Sequence, residues 1–215
     1  VVRLACLKLA PTQIVAWGHP ETTGIPAIDY YWSSEMFEPD IAEKNYSEKL
    51  LTLPNLGCWY SPTNVPDVKI SLSSLGIDNE MPILLCPSTP PKYTPQYDQI
   101  LIEIAKKLVD CQFIFFYHSD YRLADLTKKL ASRIETSFKN AQLRFEDFFI
   151  FIPWQTKPEF HSLMKNADVM LDTVGFSGFN TVIQAIECNL PVVTMDGKYM
   201  RGRLGSGILR RIGLI

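Results

Sequence analysis

From residue 81 onward, short apolar runs alternate with stretches whose apolar positions recur at helical spacing. Residues 82–87 (PILLCP) have the pattern of a buried strand. Residues 96–109 predict an amphipathic helix with Ile100, Ile104 and Leu108 on one face, and Thr94-Pro95 ahead of it supplies an N-cap and a first-turn proline. Residues 113–117 (FIFFY) predict a strand, and residues 122–145 a long helical region with exposed Lys128, Lys129 and Arg133. A strand at 148–152 and a helix at 158–166 follow. Then come a strand at 169–171, a loop with two glycines at 172–178, a helix at 180–187 and a second buried strand at 191–195. Near-continuous apolar strands separated by helices predict an α/β domain with a doubly wound parallel sheet.

The first 70 residues are less periodic and rich in Pro, Trp and Tyr. Strand-like runs lie at 13–17 and 28–32, residues 38–49 form a polar helix-compatible stretch, and residues 56–68, with Pro62 and Pro66, read as a linker. The chain opens on Val1, inside an apolar segment, and stops at Ile215, directly after the amphipathic stretch 202–212. Both ends read as cuts through a larger protein.

Composition narrows the function. The chain has 215 residues, 47% hydrophobic and 20% charged, with a net charge of −2 and no basic stripe. Nucleic acid is therefore not expected as the main partner. Three His and five Cys show no metal-ligand spacing, so no metal site is expected. Cys6, Cys86, Cys111 and Cys188 sit in apolar settings, which predicts buried thiols in a reducing, cytoplasmic compartment. No apolar run approaches membrane-spanning length and no signal peptide is visible, so no membrane partner is expected.

In a doubly wound sheet, ligands bind beyond the carboxyl ends of the strands. Three loops fall there: residues 88–92, 154–157 and 175–181. The last runs onto a helix N-terminus, where unpaired N–H groups and the helix dipole suit a phosphate. Gly178 allows close backbone approach, and Ser177, Asn180 and Thr181 add side-chain donors or a cap. An ordinary capped crossover explains the same residues. Lys92, behind two prolines, could neutralise a phosphate or simply be solvated. Lys157 is a second cation at that edge, and Trp154 and Gln155 could stack on and hydrogen-bond a base; a rim aromatic and a solvated helix-start lysine are the plainer alternatives. Gln184 and Glu187 could reach a ribose or face solvent. His19 lies in WGHPETTG, where Thr22 and Thr23 make a binding loop conceivable. Arg201 and Arg203 could reach an anion or be solvated. No Ser/His/Asp arrangement or nucleophile elbow is present.

Two blocks carry a resemblance. APTQIVAWGHPETTGIPAIDYYWSSEMFEP, followed by YSEKLLTLPNLG, resembles the signature block of the O-GlcNAc transferase/SPINDLY glycosyltransferases. VMLDTVGFSGFNTVIQAIECNLPVVTMDGKYMRGRLGSGILRRIGLI resembles that family's donor-binding half, and the chain is more distantly similar to bacterial cytoplasmic N-glycosyltransferases. The resemblance implies a bacterial GT-B protein, with two Rossmann-like domains facing across a cleft. Residues 1–70 would be the end of the N-terminal domain plus a linker. Residues 71–215 would be the nucleotide-sugar-binding domain, without its return helices. The rest of the catalytic region and any tetratricopeptide repeats would lie upstream. The implied activity is metal-independent, inverting transfer of GlcNAc or another hexose from a nucleotide sugar, UDP-linked, to a protein Ser/Thr or Asn side chain, with no cofactor.

By the same resemblance, Lys92 falls where a lysine contacts the donor diphosphate, Lys157 where one approaches the nucleoside, and Gln155 where the backbone meets the base. Gly178 and Thr181 match the pyrophosphate loop, and Gln184 the ribose position. Lys92 and His19 are the candidate catalytic residues. Gln155, Lys157, Ser177, Gly178, Asn180, Thr181 and Gln184 are the candidate donor site, and Thr22 and Thr23 a candidate sugar or acceptor loop. Phe179-Asn180-Thr181 stands where the family has His-Thr-Thr, and Gln184 replaces an acid. A non-catalytic nucleotide-sugar-binding or protein-interaction module and a GT-B epimerase-like enzyme remain as alternatives.

Overall fold

The computed structural model describes residues 2–117 and 120–215. They form two compact units. One runs as far as Ser61 and includes Gly175–Ser177 and Met195–Ile215; the other comprises Pro62–Val174 and Gly178–Thr194. Residues 62–70 therefore lie with the second unit and residues 195–215 with the first.

The first unit opens with one helical turn, α1 (Val2–Ala5), and holds a three-stranded sheet: β1 (Ile14–Ala16), β2 (Tyr30–Ser34) and β3 (Lys49–Leu53). β2 is central and pairs in parallel with both neighbours. The expected helical stretch at 38–49 is not one. It holds only a 3₁₀ turn, Glu43–Asn45, and its last residue already opens β3. Tyr31 and Phe37 are fully buried. Tyr31 packs on Tyr46, with ring centroids 4.5 Å apart, and Phe37 meets Trp17 edge-on at 5.5 Å. Cys6 is exposed, contrary to the apolar setting read for it, because the short α1 leaves the opening segment on the surface.

The second unit is a five-stranded parallel sheet of β4 (Ile83–Leu85), β5 (Gln112–Tyr117), β6 (Phe149–Pro153), β7 (Val169–Leu171) and β8 (Val192–Val193), in the order β6-β5-β4-β7-β8. All five expected strands are present and parallel, but the last, expected to be buried over 191–195, is only Val192–Val193 with Val193 exposed, because it lies at the sheet edge. Their crossovers are α2 (Pro95–Leu108), α3 (Tyr121–Asn140), α4 (Lys157–Asn166) and α5 (Asn180–Glu187). Phe113, Phe115, Ile134, Phe138 and Leu101 form the heart of the core, with Phe145 stacked on Phe149 at 4.6 Å. The buried face of α2 is Tyr97, Asp98, Leu101, Ile102 and Ala105; Ile100 and Ile104 only rim it and Leu108 is exposed.

The chain ends in α6 (Leu204–Arg211), which belongs to the first unit. It crowds the turn after β2. A Cβ on Gly207 would lie 2.6 Å from both the Met36 carbonyl oxygen and the Phe37 ring. Glycine is required there by close approach rather than by backbone conformation.

Candidate functional site

The strand order reverses between β4 and β7, since the chain leaves β4 toward β5 and later returns on the other side of β4. That switch point is the ligand crevice of open α/β sheets. Two loops border it: the one after β4, carrying Ser88 and Lys92, and the one after β7, carrying Asp172 and Gly178. Ser88 Oγ and Thr173 Oγ1 join them at 3.1 Å.

The loop after β4 is rigid. Pro90–Lys92 forms a 3₁₀ turn, and the buried Tyr93 that follows accepts the Ser88 N–H on its hydroxyl at 3.0 Å. The Tyr93 ring is held by Tyr97 at 5.3 Å and Phe115 at 5.0 Å. Lys92 is thus presented half-buried from a fixed turn. Burial lowers its pKa, and the negative charge of Asp172 opposes that fall.

Asp172, which carries no local sequence signal, is the hydrogen-bonding node of the loop after β7. It is 4% exposed. Its Oδ1 accepts the N–H groups of Thr173 at 2.9 Å and Gly178 at 2.8 Å, and its Oδ2 accepts the Thr194 hydroxyl at 2.8 Å. The Gly178 amide is thus turned onto this carboxylate. A side chain on residue 178 would collide with Thr181 Oγ1, so the glycine permits the close turn. The first rung of α5 is Ile183 N–H to the Phe179 carbonyl at 3.1 Å, which leaves the amides of Asn180 and Thr181 ahead of the helical ladder. No side chain caps α5. Asn180 is exposed and Gln184, one turn on, is half-buried.

The other candidates divide. Ser177 is buried within the first unit, where its hydroxyl accepts the Gly205 N–H at 2.7 Å and anchors α6. Gln155 and Lys157 follow β6, two strands from β4 and so roughly 10 Å along the sheet edge. Gln155 donates to its neighbour Pro153's carbonyl at 2.7 Å and lines a groove with Ser71 and Ser74. Lys157 is exposed at the start of α4, which a Thr156/Glu159 capping box secures. Trp154 is half-exposed and lies nearly parallel to the Phe160 ring at 6.3 Å. Glu187 is not a solvent residue: it accepts the Thr63 N–H at 2.9 Å and so pins the linker. Arg203 donates to the Phe37 carbonyl at 3.0 Å, and Arg201 pairs with Glu21.

In the first unit, His19 Nδ1 lies 2.7 Å from the Glu21 carbonyl oxygen. A carbonyl only accepts, so Nδ1 carries the proton, and in the neutral ring Nε2 keeps a lone pair. The loop is braced from below by Tyr31, whose hydroxyl donates to the His19 carbonyl. Thr22 and Thr23 are both tied to Glu48: the Thr22 hydroxyl donates at 2.6 Å and the Thr23 N–H at 2.8 Å, with the Thr23 hydroxyl on the same carboxylate. Glu48 is 6% exposed. Burial raises its pKa, but the threonine hydrogen bonds outweigh this and hold it at about 2.

A carboxyl depressed from 4.5 to about 2 stabilises the folded unit above the unfolded value and loses that contribution as pH falls through the folded one. About 3 kcal/mol should therefore disappear between pH 5 and 2. Urea unfolding of the chain across this range should show that slope, and Glu48→Gln should flatten it. An identical slope in the variant would remove Glu48 from this role.

Among the described residues, no group of three His, Cys, Asp or Glu is placed to hold a metal ion, and no helix is long and apolar enough to cross a membrane.

No family model matches the chain. Individual relatives do. The tomato (Solanum lycopersicum) protein described as a probable UDP-N-acetylglucosamine–peptide N-acetylglucosaminyltransferase SPINDLY is 25% identical over 220 residues, covering 98% of this chain and 22% of its own length. A UDP-glucose:protein N-β-glucosyltransferase of Actinobacillus pleuropneumoniae is 24% identical over 209 residues, covering 96% of this chain and 32% of its own. The chain thus spans about a fifth to a third of these relatives. Among solved structures, a mutant of the Thermobaculum terrenum O-GlcNAc transferase superposes with a TM-score of 0.79 at 23% identity, over 95% of this chain and 37% of that one. The resemblance read from the two sequence blocks therefore extends along nearly the whole chain, which is similar to the O-GlcNAc transferase/SPINDLY-like glycosyltransferases and has the α/β fold of GT-B type.

Proposed function

We propose that the second unit is the donor-binding part of a metal-independent, inverting glycosyltransferase that moves a hexose from a UDP-linked sugar to a Ser/Thr or Asn side chain of a protein. The observation that carries this reading is Lys92, held on a rigid turn at the switch point beside the loop that enters α5. In such a transfer the bond between the sugar's anomeric carbon and the diphosphate breaks while the acceptor atom attacks from the opposite face. Negative charge then grows on the departing phosphate oxygen. A fixed ammonium and the leading amides of α5 meet that charge without reorganising, which is how a preorganised site lowers a barrier. His19, with a lone pair at Nε2, is the proposed proton acceptor of the first unit. Gln155 and Lys157 are proposed for the nucleoside, and Gln184 for the ribose. The protein acceptor and a cytoplasmic setting rest on the relatives and the unpaired cysteines.

Thermal unfolding of the full-length protein with UDP, GDP, UDP-GlcNAc and UDP-glucose tests the donor. A ligand at 100 times its dissociation constant adds about 2.7 kcal/mol, so the matching nucleotide should raise Tm by several degrees. Mass spectrometry of an acceptor protein then reads transfer. Binding without transfer would make the protein a nucleotide-sugar-binding module. Indifference to every nucleotide would end the donor-site reading.

A further inference from the structure

His19 is exposed on its loop, and an exposed imidazole left to itself samples several orientations and both tautomers. In the first unit its surroundings remove that freedom. The His19 N–H bonds the Ala16 carbonyl at 2.9 Å, where the chain leaves β1, and the His19 carbonyl accepts the Tyr31 hydroxyl. The ring itself is set by one contact, from Nδ1–H to the Glu21 carbonyl at 2.7 Å, which leaves Nε2 as the basic nitrogen. Where Nε2 lies therefore follows from where the Glu21–Thr22 peptide lies.

Two groups hold that peptide. The Glu21 side chain pairs with Arg201, but 60% of that side chain is exposed, and a solvated pair holds weakly. The stronger hold is the buried Glu48. Its Oε2 accepts the Thr22 hydroxyl at 2.6 Å, and its Oε1 accepts the Thr23 N–H at 2.8 Å together with the Thr23 hydroxyl. These are charge-assisted bonds, stronger than neutral ones. The threonines pass the constraint on: Thr22 Oγ1 accepts the Ser47 N–H at 3.0 Å, and Thr23 Oγ1 accepts the Ile25 N–H at 3.1 Å. Glu48 is itself fixed, because it leads straight into β3, whose first residue, Lys49, donates its N–H to the Asp29 carbonyl at 3.0 Å.

We propose that Glu48 is the positioning residue for His19: by clasping Thr22 and Thr23 it fixes the Glu21 carbonyl, which holds the imidazole in the Nδ1–H tautomer with Nε2 ready to take a proton. The proposal rests on the reading of His19 as the proton acceptor and extends it to a residue that need not touch either substrate. A proton acceptor works only within hydrogen-bond reach of the proton it removes. A loosened loop therefore lowers the rate of transfer and leaves the affinity for the nucleotide, proposed to bind in the second unit, unchanged.

The full-length protein tests this in two arms. Glu48→Ala removes the clasp, whereas Glu48→Gln keeps the size and one acceptor oxygen but loses the charge. Hydrogen exchange read by mass spectrometry needs no substrate. Exchange of residues 19–25 should become roughly tenfold faster in Glu48→Ala and about threefold faster in Glu48→Gln, while residues 112–117 in β5 of the second unit stay within about twofold of the parent. Unchanged exchange at 19–25, or equal acceleration in both segments, would overturn the clasp; the latter would mean general destabilisation. Glu48→Gln carries the test alone if Glu48→Ala does not fold. Kinetics then asks whether the clasp acts through His19. Glu48→Gln should lower kcat for transfer roughly tenfold and leave the UDP dissociation constant within about twofold of the parent. In a His19→Ala background the same change should lower kcat by less than about twofold further, because the imidazole it positions is gone. The full loss repeated in that background would overturn the action through His19. His19→Ala transferring at the parent's rate, or a parent that transfers nothing, would overturn the proton-acceptor reading instead, while the exchange of 19–25 still decides whether Glu48 sets the loop.

Discussion

Alanine at position 92 is expected to lower sugar transfer by the full-length protein roughly 10²–10³-fold, about 3–4 kcal/mol of transition-state stabilisation. Nucleotide binding should weaken much less. The difference follows from where charge lies along the reaction. In the bound donor the diphosphate charge is spread over several oxygens and still partly solvated. As the glycosidic bond breaks, a further charge concentrates on one oxygen, and a fixed ammonium interacts with it more strongly than with the ground state. Lys92 suits this role because its turn is closed by Pro90 and Tyr93, so little side-chain reorganisation is needed at the moment of transfer. Steady-state kinetics with a saturating donor separates the two effects. A fall in kcat with a nearly constant dissociation constant supports the assignment. A raised KM with kcat intact would make Lys92 a ground-state contact only. Lys92→Arg is informative beside it: the charge survives but the bulkier planar guanidinium does not fit the same confined turn, so recovery should be partial.

The second unit could be read from the chain because its signals are local. β4, β5 and β7 are short, mostly apolar runs that are largely buried, and each helix between the strands shows a polar side. α5 is legible to the residue, since the two-glycine loop before it and the Cys-Asn-Leu-Pro break after it mark both ends. What depends on partners distant in sequence is not legible in this way. β3 is hidden because KLLTL is half-buried on one side and sits after a polar stretch that reads as helix; only pairing with β2 reveals it. Met195–Ile215 follows β8 without a break in pattern, yet packs with residues from the beginning of the chain, as the fit of Gly207 over Met36 and Phe37 shows. Nothing in the loop 172–178 singles out Asp172. Its importance lies in donors 1, 6 and 22 residues away, a set with no local signature. Thr22 and Thr23 have the same kind of distant partner: their hydroxyls bond Glu48, 26 and 25 residues on.

Arg133 shows the same limit on the side of stability, and the largest folding effect is expected there. On sequence it belongs to the exposed charged face of α3 with Lys128 and Lys129. In the structure its guanidinium clamps Asp98 of α2 with two parallel bonds, Nε to Oδ2 at 2.9 Å and a terminal nitrogen to Oδ1 at 2.8 Å. It also reaches the Thr94 carbonyl at 3.3 Å, and Ser137 adds a bond to Oδ2 at 3.2 Å. The Asp98 side chain is only 5% exposed, while that of Arg133 is 33% exposed. Removing the arginine therefore strands a buried carboxylate, and that penalty exceeds the modest worth of an ordinary surface pair. Arg133→Ala should cost about 3 kcal/mol in urea unfolding. Asp98→Ala should cost less, because the arginine left behind can turn to water. The double variant should be far more stable than the sum of the two single losses, by about 1–3 kcal/mol of coupling. Additive losses would mean the clamp contributes nothing as a pair, and the apolar core that α2 and α3 share would then be what holds them together.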